Sequence, residues 1–307
     1  MSDMQVSQHE KPTKQSGRPA LEEIMGALVE SGYLMEQEVA SRFEALGYHV
    51  QTNRAFEDPD EGKSREMDVS AFRRVHFDEE NKIAICIEFI VECKNSANPF
   101  AFITRQKNQV DGQDAPRELI FPIRNYRQTK TIAPNRTMSR ERSAFLALGI
   151  DKEHYYFQDQ KKAVQFCRID RKGSGWQANH GGTFDSILLP LIKAFEVRRK
   201  TIRPHERAGD WYTAFLLVPT VVIRGDLFTI DSTLKNPIPE PARHVTLMRE
   251  IKSNKLSGKY LIEFVVEDEI DNFLHHKIEA LAAAVQRKIY QDVKEFKNPT
   301  RPWADEI

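Results

Sequence analysis

The sequence is short of cysteine and of any surplus charge, and each shortage excludes something. Only three cysteines occur in 307 residues, Cys86, Cys93 and Cys167, an odd number with no CxxC spacing. Neither a disulfide framework nor a zinc cage is suggested, and a reducing, cytoplasmic interior fits best. Lys+Arg and Asp+Glu both total 45, so no overall positive field draws the protein to nucleic acid or to an anionic membrane. Contact with a polyanion would have to come from local patches. Long apolar runs are also missing. The longest, Ile83 to Val91 and Ala214 to Ile223, have the length of a strand, and Pro219 interrupts the second, so no membrane partner is expected. No internal repeat is visible.

What is present is a chain with 40% apolar residues, enough to build a core. Residues 1–20 are polar, broken by Pro12 and Pro19, and read as a disordered tail. Order is expected from Leu21, where Leu21, Ile24, Met25 and Leu28 recur at helical spacing up to Gly32. A second helix is predicted from about Leu34 to Leu46, closed by Gly47 in a left-handed cap. On its wheel Met35, Val39, Phe43 and Leu46 form one stripe. Glu36 lies on the flank of that stripe, whereas Glu38 points to solvent.

A short strand, Tyr48 to Thr52, and an acidic loop, Glu57 to Gly62, come next. Met67 to Phe77 and Lys82 to Lys94 then flank a polar turn, the pattern of an antiparallel hairpin. The second strand alternates. Ile83, Ile85, Ile87, Phe89, Val91 and Cys93 share an apolar face, and Glu88, Ile90, Glu92 and Lys94 share the other. Two residues apart, Glu92 and Lys94 project side by side. Hairpin register sets Asp68 opposite Val91 or Glu92, to within a residue or a bulge.

Asp68 and Glu92, with the Cys93 carbonyl, are therefore candidate oxygen ligands of Mg²⁺ or Mn²⁺, a hard-donor set that suits such a cation and a substrate phosphate. Lys94 would orient or deprotonate an attacking water. Glu36 would complete the site directly or through a metal-bound water. The competing account is a cross-strand salt bridge on a solvated face, but Ile90 shares that face. Other acid-x-Lys triplets abound, starting at Glu61, Glu80 and Asp159 among others, and only the one at Glu92 ends an apolar strand with an acid-bearing partner. Glu38, Glu66 and Glu88 read as solvated acids or as supports to the ligands, with Glu66 or Glu88 as a substitute ligand.

In these residues the chain resembles the PD-(D/E)XK, or restriction endonuclease-like, nuclease superfamily. Glu36, Asp68 in Ser-Arg-Glu-Met-Asp-Val, and Glu92-Cys93-Lys94 occur in the family's order of helix, hairpin and motif strand, from Leu21 to about Phe102, a third of the chain. Met67 stands where the family name has proline. The resemblance implies an α/β core with a mixed sheet between helices and Mg²⁺-dependent hydrolysis of phosphodiesters, of DNA before RNA. It gives Glu36, Asp68, Glu92 and Lys94 catalytic roles. An inactive module that binds nucleic acid, or an interaction subunit of a larger complex, is the alternative, with self-association or a partner subunit left open.

Beyond the motif strand, Asn98 to Phe102 reads as a loop entering a helix. Arg117 to Arg142 holds Arg124, Arg127, Lys130, Arg136 and Arg140 with few acids and is the best candidate for a phosphate-backbone patch. A second cluster, Arg198, Arg199, Lys200, Arg203 and Arg207, follows an apolar helix from about Phe184 to Val197 and also suits a helix C-terminus. Tyr212 to Ile223 with Leu227 to Ile230, and His244 to Ile251 with Lys259 to Val266, read as two hairpins before a long helix from Glu269 to Val293. Residues 21–204 are thus assigned to the nuclease-like core. Residues 205–307 are either a continuation of it or a separate α/β unit.

Overall fold

Apolar runs without polar alternation need cover on both faces, and the longest such strands in this chain lie at the middle of one large sheet. The computed structural model describes residues 18–112, 115–202, 211–252 and 255–302. Residues 1–17 of the predicted tail, and Arg203 and Arg207, lie outside the described residues. Helices α1 (Leu21–Ser31) and α2 (Tyr33–Ala45) lead into strands β1 (His49–Glu57), β2 (Ser64–Asp78) and β3 (Ile83–Asn95). Gly32 and Gly47 end the two helices at φ 86° and 82°, values that only glycine adopts without strain. The predicted hairpin forms, with Val69 opposite Val91.

On its other side β3 runs parallel to Tyr212–Arg224 over the full length of both strands. That central strand is parallel in turn to Ser257–Val266, which is antiparallel to His244–Lys252. The sheet continues through Lys161–Lys172, β4 (Phe100–Gln106), Leu227–Asp231 and Pro239–Ala242. The protein is a mixed α/β fold in which a large mixed sheet is flanked by helices. One face buries Ile85, Ile87, Phe89 and Val91 against Met35, Val39 and Phe43 of α2 and Leu281, Val285 and Ile289 of the helical run 270–291. The other buries Ile90, Leu217, Ile262 and Phe264 under Leu191, Ile192 and Phe195 of the helix Leu189–Thr201. The boundary placed at residue 204 falls between strands of this single sheet.

Two sequence expectations fail for physical reasons. Asn98 to Phe102 does not enter a helix. Phe100 and Phe102 alternate into the core, so the segment becomes β4, parallel to Leu227–Asp231. Tyr212 to Ile223 and Leu227 to Ile230 do not pair as a hairpin either. Leu216, Leu217, Val221 and Val222 are buried on both faces, which places their strand at the sheet centre. The chain then swings away at Gly225, at φ 154°. Pro219 is tolerated in this central strand because pairing with Ser257–Val266 begins only at Thr220, beyond the missing donor. The second hairpin and the long C-terminal helix form as expected, the helix with a π-helical segment at Leu274–Glu279.

Candidate active site

At the C-terminal end of β3 the hairpin pairing stops at Val69 and Val91, which leaves Asp68 level with Glu92. The strands part here because a side chain takes over the next hydrogen bond. Asp68 Oδ2 accepts from the backbone N–H of Cys93 at 2.7 Å. A residue's N–H and C=O leave an extended strand on the same edge, so the Cys93 carbonyl opens toward Asp68 as well. Lys94 Nζ donates to Glu92 Oε1 at 2.5 Å. From the opposite side α2 brings Glu36, which is 9% exposed between the core residues Met35 and Val39. The four side chains predicted to act together are close enough for each acid to feel the others or Lys94.

Burial governs the electrostatics. It raises the pKa of Glu36 first, with the charge of Asp68 adding to the effect. Asp68 is raised by burial, partly offset by the Cys93 N–H and by Lys94. Glu92 is pushed up to about 7 by burial and then by Asp68, against the opposing pull of Lys94. Burial alone would discharge Lys94, but Glu92 and Asp68 beside it hold its ammonium above the ordinary range. The Cys93 thiol faces the apolar layer, and burial raises it far from reactivity.

One residue of this site had no signal in its side-chain pattern. Asn53 on β1 lies between the pairs Thr52–Val69 and Arg54–Met67, and so beside Asp68. It holds φ 50°, a left-handed conformation uncommon outside glycine, and its side chain bonds to Glu36. Asparagine is the residue type that accepts this backbone most readily, and its presence inside a strand was the available clue.

Other expectations are corrected. Glu88 is no spare ligand. It is 1% exposed and gripped by both arms of Arg198 at 2.6 and 2.7 Å. Arg198 of the second basic cluster is thereby committed to the core, and Arg199 to Glu196 at 3.0 Å. Glu66 and Glu38, by contrast, are exposed as expected, Glu38 with Arg224 as its partner. The acidic loop is not wholly solvated, since Asp58 is fully buried, bonded to Lys193 at 2.9 Å and to Arg65.

The basic stretch forms the hairpin Asn125–Ala133 and Arg136–Ser143, with Arg124 just before it. Its cations do not make one face. Arg127 stands opposite Glu141, Arg140 opposite Gln128, Lys130 opposite Met138 and Arg136 opposite Ala133. Adjacent residues of a strand project to opposite sides, so Arg127 faces away from Lys130 and Arg140. The hairpin is anchored where Tyr126 donates to the Phe296 carbonyl and Lys297 reaches the Asn81 carbonyl, at the start of β3. From Ile83 to Glu92 at about 3.3 Å per residue, that anchor lies at the far end of β3, roughly 30 Å along the strand from the acids.

Among the described residues, no group of three His, Cys, Asp or Glu side chains is arranged to hold a metal ion. The donor chemistry nevertheless fits a divalent cation. Asp68 and Glu92 are largely buried carboxylates whose pKa values burial raises, that of Glu92 further through the charge of Asp68, and Lys94 is the counter-charge to both. Mg²⁺ takes one or two carboxylates and fills its remaining positions with water and phosphate oxygens. Among the described residues no helix is long and apolar enough to cross a membrane. Compared with known proteins, the chain matches no family model, no curated protein and no solved structure.

Proposed function

We propose that the protein is a metal-dependent nuclease, built on a restriction endonuclease-like core, that hydrolyses phosphodiester bonds of DNA. The observation that carries this reading is the pair of contacts at the end of β3, Lys94 to Glu92 and Cys93 N–H to Asp68, with Glu36 arriving from a separate helix. The likeness of these residues to the PD-(D/E)XK pattern supports it, and that likeness alone favours DNA over RNA.

In this reading Asp68 and Glu92, with the Cys93 carbonyl, would hold Mg²⁺ or Mn²⁺, and Glu36 would complete the site directly or through a water on the ion. The ion's chemistry is to offset the phosphate charge and acidify a bound water. Lys94 acts as a donor. Its ammonium is held protonated by its neighbours, so it orients the attacking water and meets charge gathering on the phosphate rather than taking a proton. Asn53 fixes Glu36, and the Cys93 N–H fixes Asp68.

A second reading is a module that binds nucleic acid or a partner subunit without turnover. Two observations favour it: Glu92 Oε1 is already taken by Lys94, and no three-ligand cluster is closed among the described residues. Incubation of linear, circular and single-stranded DNA with Mg²⁺ or Mn²⁺ separates the two. The nuclease reading expects cleavage that falls roughly 10²- to 10³-fold in Lys94→Ala, with a comparable loss in Asp68→Asn. Binding without cleavage by the wild type supports the second reading, and cleavage that persists in both variants rejects the proposed site.

A further inference from the structure

Strands Lys161–Lys172 and Gly175–Asn179 form a ribbon that outruns the sheet it belongs to. The first of them pairs with β4 only as far as Arg168, opposite Phe100, and Ile169 donates once more to the Pro99 carbonyl at 2.9 Å. Beyond that point Asp170, Arg171 and Lys172 pair with Gln177, Trp176 and Gly175 alone among the described residues. Gly173 closes the tip at φ 61°, and Ser174 is the only side chain between the two turn glycines.

The root of this ribbon is the loop that leaves the candidate site. Lys161–Lys172 runs antiparallel to β4, so its end points back toward the exit of the chain from β3. Asn98 Nδ2 donates to Asp170 Oδ1 at 3.0 Å, and four residues, about 14 Å of fully extended chain, separate Asn98 from Lys94. The ribbon therefore stands at the end of β3 that carries the acids, opposite the end where the hairpin 125–143 is anchored.

Its cations lack counter-charges. Asp170, the one acid from Arg168 to Asn179, is bonded by Arg168 at 2.6 and 3.1 Å, by Asn98, and by Asn179 at 2.8 Å. Arg171 and Lys172 are exposed and enter no ion pair among the described residues. Trp176 stands directly opposite Arg171, so the two side chains leave the same face of the ribbon. The indole is 63% exposed and stacks on no other ring among the described residues.

We propose that this ribbon is an arm that holds a DNA strand beside the candidate site, an unpaired base lying on Trp176 and a backbone phosphate at Arg171. Charge and shape decide the occupant. An apolar partner would bury Arg171 without a counter-charge, and an acidic peptide would pair the cations but leave the indole uncovered. Each nucleotide of a strand brings both a π-face and a phosphate. A duplex keeps its bases stacked on one another and offers the indole none. The choice of DNA rests on the nuclease reading, whereas strand binding here requires neither metal nor cleavage.

The test is fluorescence anisotropy of a labelled oligothymidylate with the full chain in chelator, which reads binding whether or not DNA is cleaved. The wild type is expected to bind in a salt-dependent manner, more tightly than it binds a duplex of equal length and no less tightly than an oligouridylate. Trp176→Ala weakens binding roughly 5- to 150-fold, the worth of one base stacked on an aromatic ring. Trp176→Phe keeps most of it. Arg171→Gln weakens binding and lowers the salt slope by about 0.7, one phosphate contact on a single strand. Both side chains are exposed, and thermal melts of each variant confirm the fold. No binding by the wild type, equal binding of duplex, preference for the oligouridylate, displacement by polyglutamate at equal charge, or wild-type affinity in Trp176→Ala or Arg171→Gln would each overturn the proposal. Variants that lose binding, in a protein that never cleaves DNA with Mg²⁺, would keep the arm and reject the nuclease reading alone.

Discussion

Glu92 makes the electrostatic cost of the candidate site measurable. A carboxyl that titrates near 7 instead of 4.5 destabilises the fold by roughly 3 kcal/mol when it ionises, at about 1.4 kcal/mol per pH unit of displacement. The side chain is only 13% exposed, so solvent screens little of this. Because the folded value lies above the unfolded one, the folded state holds the proton more tightly. The stabilisation is complete below pH 4.5 and is lost as the pH climbs through 7. For 307 residues the unfolding entropy is about 0.6 kcal/mol per kelvin, so Tm should fall by roughly 5 °C between pH 5 and pH 8 on account of this group. In Glu92→Gln nothing titrates at this position, and most of that slope disappears. The variant also leaves Lys94 without its partner, which offsets part of the gain in Tm at pH 8. Scanning calorimetry of both proteins in chelator across this range is the assay. Parallel Tm–pH curves for the wild type and Glu92→Gln would refute the assignment of the burden to Glu92.

Mg²⁺ should raise Tm more at pH 8 than at pH 6, because a cation competes with protons for carboxyls whose pKa values burial has lifted, and calorimetry with and without the ion reads this directly. Arg198→Met leaves Glu88 buried with Arg54, 3.8 Å away, as its one remaining cation among the described residues, and should cost about 3 kcal/mol in denaturant titrations. The double variant Arg198→Met/Glu88→Leu should recover most of it. Gly225→Ala drives a methyl group into the Ser96 carbonyl at a backbone angle that suits glycine, and should destabilise by about 1–3 kcal/mol.

The segment that carries the candidate site was the most legible part of the chain because its signals are local. Helical spacing put Glu36 on the flank of an apolar stripe, period-two alternation put Glu92 beside Lys94, and hairpin register put Asp68 at their level. What stayed hidden depends on residues far apart. Glu88 and Asp58 read as solvated acids because their partners, Arg198 and Lys193, come 110 and 135 residues later. Arg-Gly-Asp at 224–226 read as a hairpin turn because sequence shows a bend without its direction. The separation of the basic hairpin from the acids is a matter of which end of β3 each reaches, and no periodicity encodes that. Asn53 was missed because a single backbone angle leaves no pattern.

The pairing of β3 with Tyr212–Arg224 joins residues 129 positions apart in the chain, as in Ile83 with Tyr212. At a synthesis rate of roughly 5–20 residues per second, the strand that ends in Glu92 and Lys94 emerges from the ribosome some 6–26 s before its parallel neighbour exists. During that interval an apolar strand has one edge open to any nearby polypeptide, and a chain released early would keep it open. The candidate residues are thus made more than a hundred residues ahead of the strand that closes their sheet edge, and take their place only after it has been synthesised.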